Sequence, residues 1–125
     1  MRDIKFRAWD SLEGKMYSWT ELLNQNLKNI FTIPEQCGYN IMQYTGLKDK
    51  NGKEIYEGDI IFVKGETKLL DIKGKVEYSN ILAQFIITNT GNIVNEAELL
   101  GDYEEEDIEK IGNVYDNPEL LEEGE

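Results

Sequence analysis

The chain has 125 residues, 40% of them apolar and 30% charged, with one cysteine and no histidine. That composition gives a folded soluble protein of one domain, or one domain with a small appended layer, and the lone Cys37 excludes an internal disulfide. The net charge of −12 sits wholly in residues 96–125, where 13 acidic side chains face the single basic Lys110, a balance that disfavours direct binding of nucleic-acid phosphates by that quarter.

Ile4 to Trp9 alternates strictly, with Ile4, Phe6 and Ala8 on one face and Lys5, Arg7 and Trp9 on the other. Asp10 to Gly14 reads as a turn, and Lys15 to Trp19 as the returning strand of a hairpin. From Thr20 to Phe31, Leu23, Leu27, Ile30 and Phe31 fall at helical spacing. Thr20 is the expected N-cap, with Glu21 in the first turn. Asn24, Asn26 and Asn29 weaken this helix, because asparagine competes for local hydrogen bonds. Pro34 bars its extension, and Gln36 to Asn40 forms a loop around Gly38.

Ile41 to Thr45 is strand-like. Asn51-Gly52 is a strong turn signal, since both residues tolerate positive φ. Ile55-Tyr56 follows, then Glu57-Gly58-Asp59 opens a strand from Ile60 to Lys64, and Gly65 to Lys68 turns. Leu69 to Ile72 and Lys75 to Tyr78 are β-rich around Gly74, an expected bulge or bend. Ile81 to Thr88 reads as a largely buried strand, Asn89 to Asn92 as a hairpin turn, and Ile93-Val94 as the start of its return. Glu96 to Leu100 suggests a helical turn, Asp102 to Asp107 an acidic loop, and Ile108 to Tyr115 a last strand. Asn117 can cap a final turn with Pro118 at its first position. Glu122 to Glu125 is expected to fray.

Turn signals at roughly ten-residue spacing predict a small barrel or sandwich. The expected fold is mainly β, α+β at most. Its core is a small, bent, SH3-like barrel over residues 41–121. The N-terminal hairpin and short helical segment of residues 1–40 pack on it, and an acidic tail follows at 122–125, the whole forming one structural unit.

Three blocks resemble the YopX family of phage and prophage proteins from Gram-positive bacteria: Met1 to Asp10, Gln43 to Ile61, and Ile111 to Leu121. They stand in the family's order and span essentially the whole chain, with residues 20–40 matching least. The resemblance implies a β-rich fold and an intracellular, phage-encoded setting. It implies no nameable enzymatic activity and brings no catalytic residues to carry over.

Side-chain chemistry agrees with a non-enzyme. Without histidine there is no ordinary Ser-His-Asp arrangement and no structural zinc site, and Cys37 has no histidine to activate it. No glycine pattern cradles a phosphate. Asp102, Glu104, Glu105, Glu106 and Asp107 could in principle attract a hard cation. They lack EF-hand spacing, however, and read as a solvated charge run. No catalytic, metal-binding or cofactor-binding residue is therefore expected.

Two groups remain for a partner. The acidic residues Asp102 and Glu104 to Asp107 would welcome a basic protein, or mimic nucleic acid toward one, although solubility alone accounts for such a face. Arg7 and Trp9, with Lys48, Lys50 and Lys53, could meet nucleic acid. Trp9 and Trp19 are better read as packing under residues 20–31 in a second small core, and turn solvation explains the lysines. The expectation is a protein partner, or self-association, with direct nucleic-acid binding disfavoured. No apolar leader follows Met1 and no stretch reaches the roughly 20 residues of a membrane span, so the expected location is the bacterial cytoplasm.

Overall fold

Alternation in the first ten residues produces strand β1 (Phe6–Asp10), which pairs antiparallel with β2 (Lys15–Tyr17), Ala8 opposite Tyr17. The fold is that of a computed structural model, which describes residues 3–32, 34, 38–65, 71–88 and 98–121. The hairpin turn is built on Asp10, whose buried carboxylate accepts the backbone N–H groups of Leu12 (2.9 Å) and Glu13 (3.2 Å). An aspartate at the start of a turn mimics a backbone acceptor in this way. On its other side β1 pairs antiparallel with β3 (Tyr39–Lys48), Phe6 opposite Gln43.

The segment expected to be one helix is two: α1 (Trp19–Leu22) and α2 (Leu27–Thr32). The cap is Ser18 rather than Thr20. Its hydroxyl accepts the Glu21 N–H, and the Glu21 carboxylate accepts the Ser18 N–H in return, a reciprocal capping box. The residue α1 buries is Leu22, fully enclosed in the core of this part of the chain, while Leu23 is 52% exposed. The helix then ends early, and Asn24 donates its side-chain amide to the Thr20 carbonyl (3.4 Å), the local competition expected of asparagine.

The described chain divides into two compact units, Met1–Tyr44 and Thr45–Glu125. The first has its own core of Ala8, Leu22 and Ile30, flanked by Phe6, Tyr17, Trp19, Leu27, Tyr39 and Ile41. Phe6 meets Trp19 at 5.9 Å and Phe31 edge-on at 5.1 Å. Trp19 thus takes the expected core role, whereas Trp9 is not part of that cluster.

The second unit begins with the far end of β3 and β4 (Glu54–Tyr56), then an antiparallel sheet in the order β8 (Glu98–Leu99), β7 (Gln84–Thr88), β6 (Ile72–Ser79), β5 (Asp59–Val63), β9 (Ile108–Asn113). Among the described residues this sheet is an open half-barrel, with β8 and β9 as its outer strands. The mainly β expectation holds. The β5 strand lies between β6 and β9, which accounts for its near-continuous burial. Ile61 and Val63 join Ile55, Ile72, Val76, Ile87, Leu100 and Ile108 in the core. Burying such side chains contributes roughly 1.5–3 kcal/mol each before conformational entropy is set against it.

The β4–β5 turn depends on Gly58, whose φ of +86° suits a residue without Cβ. Its N–H donates to Val76 and its carbonyl accepts from Val114, both at 2.8 Å, so one turn residue ties into two neighbouring segments. Next to it Asp59, fully enclosed, accepts the Tyr56 N–H (2.8 Å) and so closes the turn through its carboxylate.

Four expectations need correction. Gly74 is no bulge: β6 runs through it, opposite Ile61, and the register shift lies between Ile60 and Ile61 where β5 meets β9. The strand expected from Ile81 starts at Gln84. Ile81, 95% exposed, and Leu82 stand instead in the β6–β7 turn, because β6 pairs out to Ser79–Gln84 and leaves only four residues to reverse the chain. Leu99 belongs to a strand, and the helical turn comes after it, as a 3₁₀ turn at Leu100–Asp102. The last strand stops at Asn113, where the Asn113 side chain accepts the N–H groups of Tyr115 and Asp116 and turns the chain. The terminal turn at Pro118–Leu121 is as expected. The turn at 66–68, the hairpin tip and return strand at 89–94, Cys37 and the tail 122–125 lie outside the described residues.

Candidate functional site

In the second unit, an open groove of about 500 Å³ is lined by Leu47, Asp49, Lys50, Tyr103 and Glu104 to Glu106. Leu47 comes from the end of β3, and Asp49 and Lys50 from the turn that follows it. The acidic wall stands on two consecutive 3₁₀ turns, Leu100–Asp102 and Glu105–Asp107.

Asp49 is the organising residue, and sequence reasoning missed it. Its Oδ1 accepts the N–H groups of Asn51 (2.8 Å) and Lys53 (2.9 Å), and its Oδ2 accepts that of Lys110 in β9 (2.9 Å). Burial alone would push this carboxyl up. The Lys110, Lys53 and Asn51 N–H groups outweigh it and hold the group below the ordinary aspartate value. The available signal was the Asp-x-Asn-Gly spacing, which allows a carboxylate to close its own turn.

Tyr103 packs against the core of this unit and its hydroxyl donates to the Glu98 carboxylate. Burial, then that hydrogen bond and the nearby charges of Glu98 and Asp102, raise its pKa far above the usual tyrosine value. It is a neutral hydrogen-bonding wall, not a proton donor at neutral pH.

The predicted acidic residues converge on this groove in part. Glu104, Glu105 and Glu106 line it and are exposed; Asp102 is exposed and Asp107 half-buried at its flanks. Glu105 is positioned by accepting the Lys48 N–H (2.9 Å). Lys50 pairs with Glu109 at 3.5 Å on the surface, a contact worth little in water. Lys110, the only basic residue after position 95, is turned inward: its Nζ lies 3.3 Å from the buried Asp59 carboxylate.

Arg7 and Trp9 lie in the first unit. Arg7 is 6% exposed and Trp9 half-buried, so the basic side chain assigned to a polar face is enclosed, where it offers no surface charge to a phosphate. Among the described residues, no three His, Cys, Asp or Glu side chains come together as a metal site would require, and no helix is long and apolar enough to cross a membrane. The exposed carboxylates along the groove can attract cationic groups.

The model of one family, described as YopX protein, matches residues 5–122. The chain belongs to the YopX family. This YopX-family chain resembles the crystal structure of protein EF1440 from Enterococcus faecalis, with 26% identity, 98% of this chain and 100% of that one covered, and a TM-score of 0.63. The crystal structure of protein YopX from Bacillus subtilis shares its fold, at 21% identity over 100% of both chains and a TM-score of 0.62. Comparison with curated proteins gives no match.

Proposed function

We propose that this YopX-family chain is a phage- or prophage-encoded accessory protein of the bacterial cytoplasm, acting as a non-catalytic protein-binding module. The groove between Leu47–Lys50 and Glu104–Glu106 receives a basic segment of a protein partner. The observation that carries this reading is the arrangement of charge. Three exposed carboxylates follow one another along the groove, while Lys110, the only cation in that quarter of the chain, is engaged with a buried aspartate. Leu47 and Tyr103 add an apolar floor on which a lysine or arginine stem can lie.

The test is capture from host cytoplasm on immobilised wild type, a Glu104→Lys/Glu106→Lys variant and Trp9→Ala. A partner held by wild type and Trp9→Ala but lost by the charge-reversed variant is the expected result. Identical capture by all three, or turnover of a metabolite by the purified protein, overturns the reading. Displacement of the partner by added DNA identifies the narrower role of a nucleic-acid mimic, which the consecutive carboxylates favour.

A further inference from the structure

The chain contains one Asn-Gly sequence, Asn51-Gly52, and the fold places it at the tip of the β3–β4 turn with both residues exposed. We propose that Asn51 is a modification site in the folded protein, converting without an enzyme to aspartate and isoaspartate. The reaction needs an asparagine carboxamide that can swing toward the next backbone nitrogen, and a following residue that does not obstruct it.

Both conditions are met. The contacts of Asn51 run through its backbone N–H, bonded to Asp49 at 2.8 Å, and among the described residues no hydrogen bond involves its side-chain amide. Gly52 has no side chain, and a Cβ built there would meet nothing within 4 Å. With φ at +82°, Gly52 also sits where substitution is disfavoured, so the turn that uses glycine for its geometry leaves the asparagine exposed to this chemistry. One bond resists the step: the Gly52 N–H donates to the Asp49 carbonyl at 2.9 Å, and this local contact must open first.

The atoms balance with water as the only co-reactant. Hydroxide removes the Gly52 amide proton, and that nitrogen bonds to Asn51 Cγ. The Cγ–Nδ2 bond breaks and the departing nitrogen takes a proton and leaves as ammonia. Water then opens the five-membered imide at either carbonyl. One opening gives aspartate; the other gives isoaspartate, which carries the main chain through the former side chain and lengthens the turn by one carbon. Either product adds a negative charge beside Lys50, at the lip of the groove, two residues from the Asp49 carboxylate.

The test is peptide mapping by mass spectrometry of the intact protein held at mildly alkaline pH, beside the same protein unfolded in urea and an Asn51→Gln variant. The expected result is a gain of about 1 Da, the amide-to-acid difference, on the peptide containing Asn51 before any other asparagine peptide. The folded protein should react within about tenfold of the unfolded chain, since exposed turns open at little cost. The Asn51→Gln variant should lose that early signal while keeping the wild-type circular dichroism spectrum. If the folded protein keeps the Asn51 amide while the unfolded chain loses it, or if another asparagine reacts first, the inference is overturned.

Discussion

Asp49 shows how one side chain can set both a turn and a site. Its three N–H donors reach from Asn51 and Lys53 within the turn and from Lys110 across the sheet. In Asp49→Asn one carboxylate oxygen becomes an NH₂ group, which cannot accept from any of them and must face at least one donor. The expected loss is about 2 kcal/mol, the scale of hydrogen bonds to a charged acceptor, read from urea unfolding at neutral pH. The pH dependence follows from the depressed pKa. Because the folded carboxyl holds its proton less tightly than the unfolded one, its stabilisation is complete above the ordinary aspartate value and is lost as pH falls through the lower, folded value. Wild type and Asp49→Asn should therefore differ most at neutral pH and converge as pH falls below the ordinary aspartate value and through the lower, folded one; a gap that stays constant through that fall would refute the assignment.

At the scale of elements, the turns are the informative pieces. Ala83 closes the β6–β7 hairpin at φ +55°, the only non-glycine residue at positive φ among those described. An L side chain there costs roughly 1–2 kcal/mol, and glycine's own entropy gives back about half of that advantage. Ala83→Gly should raise stability by about 0.5–1 kcal/mol, seen as a higher urea midpoint with an unchanged slope; a lower midpoint would contradict it. Gly112 makes the opposite demand. A Cβ added there would stand 2.6 Å from Asn117 Oδ1 and 2.8 Å from its Cγ, and that same Oδ1 accepts the Asn113 N–H. Gly112→Ala should cost about 1–3 kcal/mol as the terminal turn is pushed off β9, which the urea midpoint also reads.

These elements mark what the sequence made legible. The Asp10–Gly14 turn, the Gly58-Asp59 corner and the terminal turn at Pro118 were readable because each uses a residue with its own local geometry, although the Asn117 side chain accepts the Asn113 N–H behind it. The capping box at Ser18 was missed because Thr20 is also a favoured cap residue, two positions nearer the apolar stripe, and only packing of Leu22 decides between them. Ile81 and Leu82 misled because β-branched and apolar residues read as buried strand, while the pairing of Ser79 with Gln84 leaves them in the turn. The groove was half legible. Its carboxylates stood out as a run, but Leu47, Asp49 and Lys50 reach it only through a contact with a strand some sixty residues later.

For the whole molecule, charge and division coincide. Residues 1–44 hold five basic and five acidic side chains, and residues 45–125 hold eight and twenty, so the entire imbalance belongs to the second unit. Any partner attracted electrostatically is attracted to that unit, and its capture should weaken as salt rises from about 0.05 to 0.5 M through screening. Retention on DNA cellulose at about 50 mM salt is expected to be absent, since phosphate contacts require released counterions and exposed Lys or Arg clusters; salt-dependent retention would argue for a nucleic-acid role instead. The bond from the Lys110 N–H to Asp49 also sets an order of events. During synthesis the turn at residues 49–53 leaves the ribosome with two of its three clamps available, and the third cannot close until Lys110, 61 residues after Asp49, has been made. A chain cut short before Lys110 would carry a turn that is formed but not fastened, with one face of its carboxylate still open to water.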